Sequence, residues 1–148
     1  MQVEKFMAIF DGLKEAYGTY KIEKRQDNGK NTGKAGVVRE PRTRELWEGH
    51  LSGKGNAIGI IPINAESNCV WGCIDIDQYP LDHKALVAKI RADKLPLVVC
   101  RSKSGGAHCF LFAKSWVTAK DMQKTLTMVA AQLGYSGSEI FPKQIRLN

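Results

Sequence analysis

The alternation of apolar and polar positions divides the first third of the chain into short elements. A polar, glycine-rich segment over residues 23–41 predicts a loop or hairpin, with Asn28-Gly29 and Thr32-Gly33 as turn signals. A short helix is predicted around 43–50, followed by a turn at 52–56. A longer helix is predicted over residues 3–16, because apolar residues recur there at helical spacing: Val3, Phe6, Met7, Phe10 and Leu13.

The pattern changes after residue 57, where apolar runs of strand length alternate with amphipathic segments. From residue 69 onward the predicted order is β-α-β-β-α-β, which is the order of the ferredoxin-like split βαβ unit. RNA-recognition modules and polymerase palms share this order, so it does not choose between them. The predicted strands cover residues 57–63, 69–77, 97–101, 107–113 and 138–141. The first predicted helix covers 83–93 and is capped by Asp82. The second covers 119–133; a Thr118–Asp121 capping box begins it, and Gly134 ends it.

These elements predict an α+β fold in a single domain. We expect a ferredoxin-like, RRM-like core over 57–148, preceded by a helical and basic-loop extension over 1–56. The length of 148 residues is enough to bury a core without disulfides or metals as supports.

Charge is distributed unevenly along the chain. The net charge is +7, and residues 21–54 hold nine Lys/Arg against five Asp/Glu, while residues 101–148 hold seven against two. The stretch 55–100 is slightly acidic. A basic frame around an acidic centre suits a phosphate-rich partner, although a solvated surface with a high pI explains the charge alone equally well.

The cysteines and the N-terminus indicate a reducing compartment. Residues 1–20 carry acids among the apolar positions, which does not fit a secretory signal, and no apolar run reaches the length of a membrane span. We therefore expect a cytoplasmic protein with no membrane partner. The four cysteines (Cys69, Cys73, Cys100 and Cys109) lie in strand-like apolar runs and fit no C-x2-C pattern, which favours core packing over a zinc site with His108.

The first candidate site feature is an acidic pair at the end of a predicted strand. Because strand side chains alternate between faces, Asp75 and Asp77 are expected to point to the same side. Two neighbouring carboxylates repel each other, and Mg²⁺ or Mn²⁺ offsets that repulsion because hard cations prefer carboxylate oxygens. Two such ions can activate an attacking hydroxyl and steady a leaving pyrophosphate. The alternative is an ordinary solvent-facing strand end.

The second candidate feature joins two predicted strands. Gly105 and Gly106 permit tight backbone geometry with exposed amides, and His108 opens the following strand, where it could donate to a triphosphate oxygen. The alternative is a glycine hairpin with a surface histidine. Nearby residues add a hydroxyl and two positive charges that suit a nucleotide: Ser104, Arg101 and Lys103. If the strands of Asp77 and His108 are neighbours, both features form one site suited to phosphoryl transfer.

The two runs CVWGCIDID and RSKSGGAHCFLF, separated by a helix, resemble the signature of archaeo-eukaryotic primases and primase-polymerases. The resemblance covers residues 42–144 and is nearest to phage, plasmid and conflict-system members. It implies template-directed nucleotide addition, making primers or extending them, in a bacterial or archaeal cytoplasm. The implied roles are metal binding for Asp75 and Asp77 and contact with nucleotide phosphates for Ser104 and His108. The implied partners are Mg²⁺ or Mn²⁺, dNTP or NTP, and a single-stranded DNA template.

The same resemblance leaves some roles open. Family members use a third acid, for which Glu139 is the best-placed candidate here; Asp121 is predicted to cap a helix instead. His50, Lys143 and Arg146 are candidate contacts to nucleotide or template. The chain ends soon after its FPKQ segment, where similar members usually continue, often into a helicase or helix-bundle domain. We therefore expect either an excised catalytic fragment or a truncated or minimal relative.

Two further functions fit the same sequence. A non-catalytic single-stranded nucleic-acid-binding module suits the basic flanks, but such a module needs aromatics on its central strands, where this sequence carries acids. A metal-dependent nuclease would use the same acids. Metal-dependent incorporation of nucleotides would indicate a primase-polymerase. Binding of nucleic acid without a need for metal would indicate the binding module, and cleavage of DNA would indicate the nuclease.

Overall fold

The computed structural model describes residues 2–25 and 31–147. No helix in this part of the chain is long and apolar enough to cross a bilayer. The elements form the predicted α+β fold, in this order: α1 (Gln2–Ile9), β1 (Tyr17–Arg25), β2 (Asn31–Val38), α2 (Arg44–Ser52), β3 (Ile58–Gly59), β4 (Asn68–Ile76), α3 (His83–Ala92), β5 (Leu97–Arg101), β6 (Ala107–Thr118), α4 (Ala119–Gln132) and β7 (Glu139–Phe141).

The last six elements confirm the predicted β-α-β-β-α-β order. Their strands form one sheet in the order β5-β6-β4-β7 with antiparallel neighbours. Strands β4 and β5 are both antiparallel to β6, so they run parallel to each other with β6 between them, as the split βαβ unit requires. Residues of the sheet and of α3 and α4 form the main core, among them Ile74, Ile76, Leu86, Ile90, Cys109, Met122 and Leu126.

The helix boundaries in this unit follow from local capping groups. The Asp82 side chain accepts a hydrogen bond from Ala85 N at 3.0 Å and begins α3. Thr118 Oγ1 accepts from Asp121 N at 3.1 Å and donates to the Asp121 carboxylate at 2.7 Å, so Thr118 caps α4 and pairs with Asp121 as predicted. Gly134 follows α4 with a φ of +84°, a conformation that glycine adopts without strain.

The N-terminal part forms a second sheet, in the order β2-β1-β3. Segment 23–41, predicted as a loop or hairpin, contributes to the antiparallel β1–β2 pair. The predicted turn at Thr32-Gly33 is wrong, because both residues pair with β1 inside β2. The other turn signal, Asn28-Gly29, lies outside the described residues.

Two predicted elements are shorter in the structure. The strand predicted over 57–63 consists of Ile58–Gly59 and pairs with β1 instead of joining the main sheet. Pro62 has no N–H for a ladder, and the Ile61 carbonyl accepts from Leu13 N instead. The helix predicted over 3–16 ends at Ile9, because that contact fixes Gly12 against Ile61: a Cβ on Gly12 would lie 2.1 Å from Ile61 O.

Three of the four cysteines are buried, as predicted. Burial raises the pKa of the Cys69 and Cys109 thiols to about 11, so both are protonated at neutral pH. Cys73 is also buried. Cys100 is exposed, which corrects the expectation that all four pack in the core.

Candidate active site

The register of three strands places polar side chains in one row across the main sheet. Asp75 on β4 lies opposite His108 on β6 and, on its other side, opposite Glu139 on β7. Directly opposed residues share a face of the sheet. Their neighbours along the strand, such as Ile74, point to the other face, where α3 and α4 cover them. The predicted neighbourhood of the acidic strand and the histidine strand is therefore confirmed.

Asp75 is the least solvated member of this row. Its side chain is 19% exposed, and its Oδ1 is buried without a hydrogen-bond partner. The same atom lies 3.4 Å from His108 Nε2, which is within ion-pair distance but is not a hydrogen bond. A buried carboxylate oxygen without a donor is unfavourable unless a cation or a proton satisfies it.

Burial raises the pKa of the Asp75 carboxyl above its usual value. His108, when protonated, lowers it, the carboxylates of Asp77 and Glu139 raise it further, and the Lys143 ammonium lowers it. A carboxyl whose pKa is raised by burial and by other acids is typical of a functional site. The shift also indicates that all five side chains share one electrostatic environment.

The donors of this site suit a hard divalent cation. Carboxylate oxygens are the ligands that Mg²⁺ and Mn²⁺ prefer, and Asp75 offers an unsatisfied one. Asp77 lies one residue beyond β4 and is exposed. Glu139 pairs with Lys143, whose ammonium competes for its carboxylate. Within residues 2–25 and 31–147, no group of three or more His, Cys, Asp or Glu side chains is arranged to hold a metal ion.

The glycine-containing turn lies against the end of β4. Ser102 N donates to Gly106 O, and Gly105 N donates to Ser102 O, both at 3.0 Å. Gly105 has a φ of +97°, and a Cβ on Gly106 would lie 2.2 Å from Ile76 O. Both glycines are therefore required by the backbone, one for its conformation and the other for the close approach to β4.

The turn brings the predicted phosphate-binding side chains to the acidic end of β4. Ser104 is exposed and lies within hydrogen-bonding distance of Tyr79, which also contacts Asp77. Arg101 and Lys103 are exposed on either side of Ser102. The predicted metal and nucleotide residues thus lie side by side.

Two residues of this site were missed by the sequence reasoning. The Tyr79 hydroxyl lies 2.8 Å from both Asp77 Oδ1 and Ser104 Oγ. The second is His83, whose Nε2 donates to Gly106 O at 2.9 Å and holds the glycine turn against α3. The signal for Tyr79 was its position two residues after the second acid. His83 had no comparable signal.

The central strands also carry aromatic residues beside the acids. The sequence had indicated acids there in place of the aromatic residues that a single-strand-binding module needs. Phe110 and Phe112 follow His108 at every second position of β6, so all three lie on the same face as Asp75. Their rings form a stacked pair with centroids 6.0 Å apart, and Phe10 packs edge-on against both. The alternation of these residues was visible in the sequence.

The remaining candidates lie at different distances from the row. Lys143 pairs with Glu139 and lies 5.1 Å from the Phe141 ring centroid, at the edge of the site. His50 lies in the last turn of α2, where its Nδ1 accepts a hydrogen bond from Ile58 N at 3.4 Å, beside the N-terminal sheet. Arg146 is exposed near the end of the described chain.

The fold and the candidate site define an α+β domain with a split βαββαβ core and a carboxylate–histidine row on one face. The chain belongs to the archaeo-eukaryotic primase family, because the family model described as the archaeo-eukaryotic primase domain of the TOTE conflict system matches residues 14–145. This confirms the resemblance found in the sequence, and members of this family are generally nucleotidyltransferases. A search of curated proteins gave no match.

Proposed function

We propose that this domain catalyses template-directed nucleotidyl transfer, as a DNA primase, a DNA polymerase or both. The observation that carries the proposal is the row of His108, Asp75 and Glu139 across three strands, with Asp77 and Ser104 beside it. Such a row provides anionic groups for metal ions next to hydroxyl and cationic groups for phosphates, which is what phosphoryl transfer requires.

In this proposal Asp75 and Asp77 hold Mg²⁺ or Mn²⁺, and Glu139 is the third ligand. The ions would neutralise phosphate charge and activate the attacking hydroxyl. The unsatisfied Oδ1 of Asp75 supports its role as a ligand. Lys143 contacts only Oε1 of Glu139, which leaves Oε2 for a cation. If Lys143 is displaced, its ammonium becomes available to a phosphate.

The nucleotide would bind over the glycine turn. His108, which is 43% exposed, can donate from its ring to a triphosphate oxygen. Ser104 adds a hydroxyl donor, and the exposed Arg101 and Lys103 add positive charge. Gly105 and Gly106 allow the turn to approach β4 closely enough to bring these groups to the acids.

A single-stranded template is the proposed macromolecular partner. The net charge of +7 favours a polyanion, and the half-exposed aromatic side chains on β6 offer surfaces on which bases can stack. His50 and Arg146 remain candidate template contacts. Binding of single strands without catalysis is a second candidate function, which the aromatic row of β6 favours.

Primer extension with labelled dNTP and NTP, in Mg²⁺ and in Mn²⁺, tests the proposal directly. We expect metal-dependent incorporation by the wild-type protein and loss of at least roughly a thousandfold in the Asp75→Ala, Asp77→Ala double variant. A matched control, Glu40→Ala with Glu66→Ala, removes the same charge from exposed positions and should retain activity.

Each alternative outcome has a defined meaning. Undiminished synthesis by the aspartate double variant would exclude these residues as metal ligands. Salt-sensitive binding that ignores metal, with no incorporation, would support the binding module. Cleavage of DNA in Mn²⁺ without extension would support a nuclease.

A further inference from the structure

Tyr79 connects two groups of the site that belong to different chain segments. It lies in the connection between β4 and α3, and its hydroxyl is 2.8 Å from Asp77 Oδ1 and 2.8 Å from Ser104 Oγ. Ser104 Oγ in turn lies 3.4 Å from Ser102 Oγ. These contacts form one chain of hydroxyl groups that ends on a carboxylate.

The direction of the hydrogen bonds follows from the available protons. An ionised Asp77 only accepts, so the single hydroxyl proton of Tyr79 is donated to it. The Tyr79 oxygen then accepts from Ser104, and Ser104 accepts from Ser102. Tyr79 therefore holds the Ser104 hydroxyl in place before any nucleotide arrives. Because Ser104 has one hydroxyl proton, it must turn that proton from Tyr79 to a phosphate oxygen when the nucleotide binds.

Asp77 needs such a contact more than Asp75 does. Asp75 lies within β4, where pairing with β6 and β7 fixes its backbone, whereas Asp77 follows the strand end and is exposed. A hydrogen bond to one carboxylate oxygen restricts the side chain and leaves Oδ2 available to a cation. Groups that orient metal ligands in this way typically change metal affinity by roughly tenfold to a hundredfold when removed.

We propose that Tyr79 is a positioning residue that couples metal binding at Asp77 to phosphate binding at Ser104. The inference rests on the proposed function, because it assigns the two groups that Tyr79 connects. Tyr79 is 54% exposed, so its place in the site depends on these hydrogen bonds more than on burial. Removal of the hydroxyl alone, as in Tyr79→Phe, therefore tests the positioning role.

The experiment compares Tyr79→Phe with the wild-type protein in two assays. In the first, Mn²⁺ binding to the protein alone is followed by the electron paramagnetic resonance signal of free Mn²⁺. We expect the variant to bind Mn²⁺ roughly tenfold more weakly. Tyr20→Phe, at an exposed tyrosine of β1, is the matched control and should bind Mn²⁺ as the wild type does.

The second assay is primer extension over a range of Mn²⁺ and nucleotide concentrations. A positioning role predicts a higher Mn²⁺ concentration at half-maximal rate and a KM for nucleotide raised roughly threefold to tenfold. It also predicts a kcat at saturation within about threefold of wild type, since Tyr79 contacts no reacting atom. Melting temperatures establish that both variants are folded.

The results distinguish this inference from the function on which it rests. Unchanged or tighter Mn²⁺ binding by Tyr79→Phe, with unchanged nucleotide KM, would overturn the positioning role while leaving the polymerase proposal intact. Wild-type protein that binds Mn²⁺ but extends no primer would overturn the polymerase proposal, and the Mn²⁺ titration would still decide the role of Tyr79. Wild-type protein that binds no Mn²⁺ would overturn both.

Discussion

The two faces of the main sheet are built by the same strands but meet different requirements. On one face, Ile74 and Cys109 are fully buried beneath α3 and α4. On the other face, Asp75 and His108 occupy the adjacent positions of the same two strands and carry the candidate site. A shift of one residue in register would exchange the two sets, so the burial of the helix-covered face also fixes the position of the site.

The two faces also differ in how well their polar and apolar groups are satisfied. The helix-covered face satisfies its residues by apolar packing. The opposite face holds a buried carboxylate oxygen without a hydrogen-bond partner, and other acids raise the pKa of the same group. The acidic end of the site face is therefore expected to contribute little to folding until a cation binds, whereas the aromatic residues further along β6 pack against Phe10.

The largest expected effect is a difference in the free energy of unfolding between substitutions on the two faces. Ile74→Ala should lower the free energy of unfolding by about 3 kcal/mol, because it leaves a cavity beneath the helices. Val98→Ala, on the site face of β5 and 52% exposed, should cost less than about 1 kcal/mol. Urea denaturation of both variants measures the difference. Equal losses would contradict the assignment of the faces.

The second prediction concerns function on the site face. His108→Gln should raise the KM for nucleotide or lower kcat/KM by roughly tenfold to a hundredfold, the range expected for a lost hydrogen bond to a charged phosphate. The side chain is half-exposed, so the melting temperature should change little. Mn²⁺ affinity should stay within about threefold of wild type, because His108 is not proposed as a ligand. Unaltered steady-state kinetics would exclude His108 from the site.

The smallest expected effect is a gain in stability. Burial raises the folded-state pKa of Asp75 above its unfolded value, so the ionised carboxylate destabilises the fold at neutral pH. Asp75→Asn should therefore melt at a slightly higher temperature than wild type in the presence of chelator. Differential scanning fluorimetry at several pH values checks this.

The pH and metal dependence of that gain make the prediction specific. As the pH falls through the raised pKa of Asp75, the wild-type carboxyl takes up its proton in the folded state. The difference in melting temperature between Asp75→Asn and wild type should therefore narrow. Added Mn²⁺ should stabilise wild type and not Asp75→Asn. A variant less stable than wild type without metal at neutral pH would show that Asp75 has a structural role.

Much of the main sheet could be predicted because its signals are local. The apolar run ending in Asp75 and Asp77 is long enough to define β4, and Asp82 and Thr118 begin their helices through contacts three residues away. The N-terminal part was less predictable. The run at 57–63 has the composition of a strand, but a contact with Gly12 and the missing N–H of Pro62 decide its structure.

The sequence predicted which residues form the candidate site, but it predicted only some of the contacts between them. Alternation along a strand was enough to bring Asp75 and His108 to one site once their strands were neighbours. The Tyr79–Ser104 contact joins residues 25 positions apart, and the His83–Gly106 contact joins residues 23 apart. No periodic pattern encodes such pairs, because they depend on how two connections meet at the end of the sheet.

The sequence by itself determined the α+β class, the order of the split βαββαβ unit, the caps and the family, because each depends on short-range patterns or motifs. Only the tertiary structure decided that Glu139 lies opposite Asp75, that Asp75 has an unsatisfied oxygen and that Tyr79 connects Asp77 to Ser104. The physical reason is that strand register and desolvation are set by the packing of the whole core.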